Sequence, residues 1–152
     1  MQALQPSSAF SVECNTTSDA TPPRLCLRHR EDGDILLDLP GAVMEAQFEA
    51  VDGYLVFTTE NTPYEEALHV HWIARDGRVL DAVELSAPYT PAIFANAVLA
   101  APRTVRFTFF NDGRLWSVEV ARTPRRQWHG PPYPARRRAR WWRPGWLLIA
   151  VQ

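Results

Sequence analysis

From Arg24 onward the chain alternates apolar and polar residues in short runs, separated by Asp-Gly dipeptides at Asp32-Gly33, Asp52-Gly53, Asp76-Gly77 and Asp112-Gly113. Alternation with a period of two marks a strand with one buried face. Asp-Gly between two such runs marks a hairpin, because both residues tolerate the positive φ of a type I′ turn. Four such signals predict an all-β, mainly antiparallel fold, either a sandwich or a curled meander of hairpins.

The first hairpin puts Leu25, Leu27, Ile35, Leu37 and Leu39 on a core face and Arg24, Arg28, Arg30, Asp34 and Asp38 on a wet one. The second joins residues 47–51 to 54–60, although 42–50 also fits a helical period through Met44, Phe48 and Val51. The third pairs 68–74 with 79–85. The fourth pairs 104–110 with 115–120 and buries Val105, Phe107 and Phe109 against Trp116, Val118 and Val120. The third and fourth share an Asp-Gly-Arg turn 36 residues apart, a spacing close to a propeller blade. At about 40 residues per blade the chain is too short for a closed ring, so these read as two similar hairpins of one sheet system.

Three segments break the pattern. Residues 1–23, rich in Ser, Thr, Pro and Asn, read as an irregular N-terminal segment, leaving 24–152 as a single β domain. Thr90 as a cap, Pro91 at a first helical position and Pro102 as a stop predict one short helix near 91–100, with an apolar stripe of Ile93, Phe94, Ala97 and Val98. Residues 122–144, rich in Arg, Pro and Trp, read as a long loop before a last strand at 146–151.

Charge sharpens this picture. The 152 residues carry a net charge of -1, but residues 1–119 hold all 17 acids and 8 arginines, whereas 120–152 hold 8 arginines and no acid. The halves therefore carry -9 and +8. All 16 basic residues are arginine, which excludes a lysine Schiff base and a P-loop lysine. No apolar run reaches the roughly 18 residues of a membrane-spanning helix, and the first twelve residues lack the features of a secretory signal.

Chemistry-bearing motifs are sparse. No Gly-x-Ser-x-Gly elbow, glycine-rich phosphate loop or cysteine-protease pattern is present, and a carboxylate pair such as Glu60 with Glu66 selects nothing by its spacing. His69 and His71 share one face of a strand, the geometry of two metal ligands, without the rest of a metal motif; no cofactor is expected. Cys14 and Cys26 are a disulfide candidate, which would place the chain in the periplasm or outside the cell. Free thiols would fit the cytoplasm.

These observations favour a non-catalytic protein-binding domain with segregated charge, of which an inhibitor or bacterial immunity-type protein that neutralises a cognate protein is one instance. Its acidic face would use Glu60, Glu65, Glu66 and Asp81, with Trp72 or Phe110 as anchors. The alternative is a binder of anionic ligands, nucleic acid or an anionic membrane surface, through Arg136, Arg137, Arg138, Arg140, Trp141 and Trp142. An enzyme of unrecognised type is third. A self-contained clasp, in which the arginines neutralise the acidic body, competes with all of these.

Overall fold

A computed structural model of the chain describes residues 3–18, 21–62, 64–127, 129–138 and 143–152. Arg140, Trp141 and Trp142 lie outside the described residues. The described residues form strands in three antiparallel sheets and no helix. In chain order they are β1 (Gln5–Pro6), β2 (Phe10–Ser18), β3 (Thr21–His29), β4 (Leu36–Pro40), β5 (Val43–Ala50), β6 (Gly53–Thr59) and β7 (Ala67–Ala74). There follow β8 (Val79–Ser86), β9 (Ala92–Ala101), β10 (Thr104–Phe110), β11 (Trp116–Arg125), β12 (Ala135–Arg137) and β13 (Gly145–Val151).

The sheets stack because the middle one is apolar on both faces. It runs β1-β5-β6-β7-β8-β12. On β6, Leu55 and Phe57 pack with Val70, Trp72, Val105, Phe107 and Trp116 toward the sheet β13-β11-β10-β9. The intervening Tyr54 and Val56 pack with Phe10, Leu25, Leu27, Leu37 and Leu39 of the sheet β2-β3-β4. Alternate residues of one strand thus serve two cores, which is why β6 and β7 are buried along their whole length. No helix among the described residues is long and apolar enough to cross a membrane.

The hairpins at Asp32, Asp76 and Asp112 form where the dipeptides predict them, but not as type I′ turns. Gly77 (φ 94°) and Gly113 (φ 74°) take the left-handed region, and none of the aspartates does. Instead Asp32, Asp76 and Asp112 each accept, through Oδ1, the backbone N–H two residues on. The carboxylate folds the turn and longer loops result. At Asp52-Gly53 the turn slips by one residue, so that Gly53 opens β6 opposite Ala50. A Cβ there would stand 2.5 Å from the Ile73 carbonyl oxygen and 2.7 Å from the Trp72 ring, a close approach only glycine allows. The ambiguous segment at 42–50 is strand β5.

Three expected elements are corrected. Residues 92–101 are strand β9, not a helix: they pair with β10 through three register shifts, with Asn96 at φ 58°. Each shift adds a residue to β9, which brings Phe94 and Ala97 onto the same core. Bulges thus reproduce the three-residue spacing that reads as helical. The segment 1–23 is not irregular throughout, since β1 and β2 lie within it and Phe10 is fully buried. The Gln47 side chain fastens β2 by bonding both the N–H and the carbonyl of Phe10, each at 3.0 Å. The basic segment is also partly ordered as strand, because β11 continues to Arg125 and β12 pairs with β8. The last strand, β13, returns to β11 as the apolar run predicts.

Candidate functional site: an arginine-lined cleft

The pairing of β12 on β8 carries the basic segment along the edge of the middle sheet. Arg138 continues that line by donating its N–H to the Ala82 carbonyl at 3.0 Å. There it faces the three-stranded sheet across a cleft of about 540 Å³, lined by Arg24, Leu39, His71, Leu80, Arg138 and Arg143 among others. The carboxylates at this cleft are already matched. Asp38 pairs with Arg24 at 3.0 Å and Asp81 pairs with Arg137 at 3.3 Å. Among the described residues, the side chains of Arg138 and Arg143 have neither a hydrogen bond nor an ion pair, so two guanidinium groups stand uncompensated at its rim.

Burial, then His69, Arg138 and Arg24, hold the pKa of His71 down at about 3, so the ring is neutral near pH 7. Its tautomer follows from the bonds around it. The Thr58 hydroxyl donates to the Pro40 carbonyl at 2.7 Å, leaving its oxygen to accept from His71 Nε2–H at 3.3 Å.

His69 and His71 do share one face, with ring centroids 6.2 Å apart. Even so, His71 Nε2 is engaged by Thr58, while His69 Nε2 lies 3.5 Å from Glu60 and 4.0 Å from Glu84. Among the described residues no group of three His, Cys, Asp or Glu side chains is placed to hold a metal ion.

The acidic face is dispersed. Glu66 is buried, and its Oε1 accepts the N–H groups of Glu60 and Ala67 at 2.9 and 3.0 Å. Asp81 is buried, and its carboxylate accepts from Arg137, Ala82, Trp146 and Leu147. Glu60 is half-buried beside His69, and only Glu65 is open to solvent.

Neither expected anchor is at the surface. Trp72 has no exposure, deep between two sheets with the Arg103 guanidinium 5.6 Å above its ring. Phe110 is 7% exposed. Alternation from Phe107 places it outward, but where the β9–β10 ladder shifts register Phe109 and Phe110 both turn inward, 4.8 Å apart.

Within the basic segment, Arg136 lies opposite Glu84 in the ladder and is exposed, whereas the Arg137 side chain is buried and ion-paired. Among the described arginines of 122–143, Arg137 is the one that makes an ion pair, with Asp81. Cys14 and Cys26 are register partners of β2 and β3 and are free thiols, not a disulfide. The hydrogen bond to Cys14 raises the Cys26 pKa.

Arg24 and Arg143 were not among the expected site residues. Arg24 reads as one charge on a wet strand face, and nothing local to it marks the crossing of β12 that closes the cleft. No protein-family profile, curated protein or solved structure matches this chain.

Proposed function

We propose that the chain is a non-catalytic binding protein whose ligand carries a phosphate or carboxylate group, held in this cleft by Arg138 and Arg143. The supporting observation is the pair of uncompensated guanidinium groups beside a walled space of about 540 Å³, where the local carboxylates already have partners. Guanidinium forks match oxyanions in geometry and charge, and Leu39, Pro40, Leu80 and Pro144 offer an apolar wall to the rest of a small molecule. A small ligand fits better than a nucleic-acid polymer. The net charge of -9 over residues 1–119 repels a continuous phosphate backbone, while a single head group meets the local field alone.

Calorimetric titration with phenyl phosphate and benzoate, against sodium chloride at matched ionic strength, tests this reading. The expected result is saturable binding weakened about tenfold or more by Arg138→Gln or Arg143→Gln, the equivalent of one lost charge-assisted bond. Absence of saturable binding, or variants that bind like the parent, overturns it.

A protein partner is the second reading. Its acidic residues and aromatic anchors are largely internal, and the observation that favours it is β9, where Ile93, Val98 and Leu99 are 79%, 52% and 38% exposed on a sheet edge. The bulges of β9 twist that edge away from strand addition, so the contact would be made by these side chains. A protein captured by the parent from nuclease-treated lysate and lost with Ile93→Lys supports it. Capture that survives the substitution counts against it.

A further inference from the structure

A second cleft, of about 420 Å³, opens where β3, β5, β6 and the β7–β8 turn meet, and it is independent of the arginine cleft. Its lining includes His29, Arg30, Glu31, Asp32, Tyr54 and Arg75. The hydrogen atoms here can be assigned by elimination. His29 Nδ1 accepts the backbone N–H of Asp32 at 3.0 Å and of Glu31 at 3.3 Å, so it carries a lone pair and the ring hydrogen is on Nε2. The 2.9 Å contact between His29 Nε2 and Tyr54 Oη is therefore donated by histidine. Arg75 Nη1 also donates to Tyr54 Oη, at 2.7 Å, and a guanidinium has no acceptor to offer in return.

Tyr54 Oη thus receives two hydrogen bonds, and its own hydroxyl hydrogen has no acceptor among the described residues. The tyrosine is only 3% exposed, yet it borders the cleft. A buried donor without an acceptor is costly, and Tyr54 is part of the wall of this cleft. The charges around the cleft are of both signs. Glu49 is matched by Arg75 at 3.2 Å, whereas Arg30, Glu31 and Asp32 are exposed and without ion-pair partners among the described residues.

We infer that this cleft binds a small zwitterion of the free amino acid class, its carboxylate accepting the Tyr54 hydroxyl hydrogen beside Arg75 and its ammonium group facing Glu31 and Asp32. The Tyr54 hydroxyl fixes the carboxylate end, because an ammonium group cannot accept a hydrogen bond. The paired acids fix the other end, because a simple anion would meet more negative than positive charge there.

The test is titration of the full chain with a panel of free amino acids, followed by the same compounds with the ammonium group acetylated or the carboxylate amidated, with acetate and methylammonium as fragments. Saturable binding of at least one free amino acid, weakened tenfold or more in both derivatives, is the expected result. Tyr54→Phe, which removes only the hydroxyl, and Asp32→Asn at the exposed rim should each weaken that binding at least several-fold. Denaturation curves establish that both variants are folded, and Asp32→Asn carries the test if Tyr54→Phe is not. If no free amino acid binds, if acetate binds as well as they do, or if the folded variants bind like the parent, the inference is wrong.

Discussion

Arg137 and Asp81 meet at 3.3 Å, with the arginine side chain 7% exposed and the carboxylate fully buried. The same carboxylate accepts the N–H groups of Trp146 at 2.8 Å, Leu147 at 2.9 Å and Ala82 at 2.9 Å. One aspartate of β8 therefore ties together the basic segment and the first residues of β13, which belongs to a different sheet. Gly145 makes room for the arrangement, since a Cβ there would overlap the Arg137 guanidinium.

The two partners are unequal, and mutation should reveal it. Asp81→Ala strands a buried guanidinium and three backbone donors, and a loss of about 3–5 kcal/mol in denaturant unfolding is expected. Arg137→Met leaves the carboxylate its three backbone donors and should cost less. A larger loss for Arg137→Met than for Asp81→Ala would show that the arginine, and not the aspartate, organises the junction.

Arg103 makes a second tie between layers. Its guanidinium donates to both oxygens of Asp52 in the β5–β6 turn, at 3.1 and 2.9 Å, and to the carbonyls of Val120 and Ala121 in β11. A lysine has the charge but not the planar fork, and cannot reach these acceptors together. Arg103→Lys should therefore lower unfolding stability by about 2 kcal/mol, the scale of one or two charge-assisted bonds. A variant with unchanged stability would refute the bidentate role.

The fold was legible in the sequence wherever a strand has one wet face. Leu25 and Leu27 opposite Leu39 and Leu37, and Val105 and Phe107 opposite Val118 and Trp116, pair as alternation predicts. Periodicity failed where local geometry altered the count, at the three bulges of β9 and at Phe110. It failed again in the N-terminal segment, because Phe10 is held by Gln47, 37 residues away, and by no local pattern. The candidate site was legible by residue type, in Arg138, but not by position. Arg24, Arg143 and the Tyr54–His29–Arg75 network are assembled by contacts between strands distant in sequence. The expected acidic face dissolved for the same reason, since a carboxylate such as Asp81 is drawn inward by backbone N–H groups that only the tertiary fold supplies.

His71 makes stability depend on pH in a definite direction. Its pKa lies at about 3 in the folded chain against an ordinary value of 6.5, so the unfolded state binds the proton more readily. The stabilisation is whole above pH 6.5 and is lost as pH falls from there toward 3, with a slope of up to about 1.4 kcal/mol per pH unit. Other carboxylates titrate at the acid end of that window, so the informative quantity is the difference between the parent and His71→Gln. The difference should shrink steadily as pH is lowered below 6.5; a constant difference would mean that His71 titrates normally in the fold.

Glu65 and Glu66 are neighbours in sequence with opposite physical situations, and charge reversal should separate them. Glu65 is exposed, so Glu65→Arg should leave stability within about 0.5 kcal/mol. Glu66 is 8% exposed and holds the N–H groups of Glu60 and Ala67, closing the segment that enters β7. Glu66→Arg removes that acceptor and buries a cation, with an expected loss of about 3 kcal/mol or more by thermal or denaturant unfolding. The difference bears directly on how a protein partner must be sought. A double reversal that abolished capture would report unfolding at Glu66 as readily as a lost contact at Glu65, so only the single Glu65→Arg variant, shown to be folded, asks whether an acidic surface recognises anything. If Glu66→Arg proves as stable as the parent, the carboxylate is not the closure of that segment, and both glutamates return to consideration as surface charge.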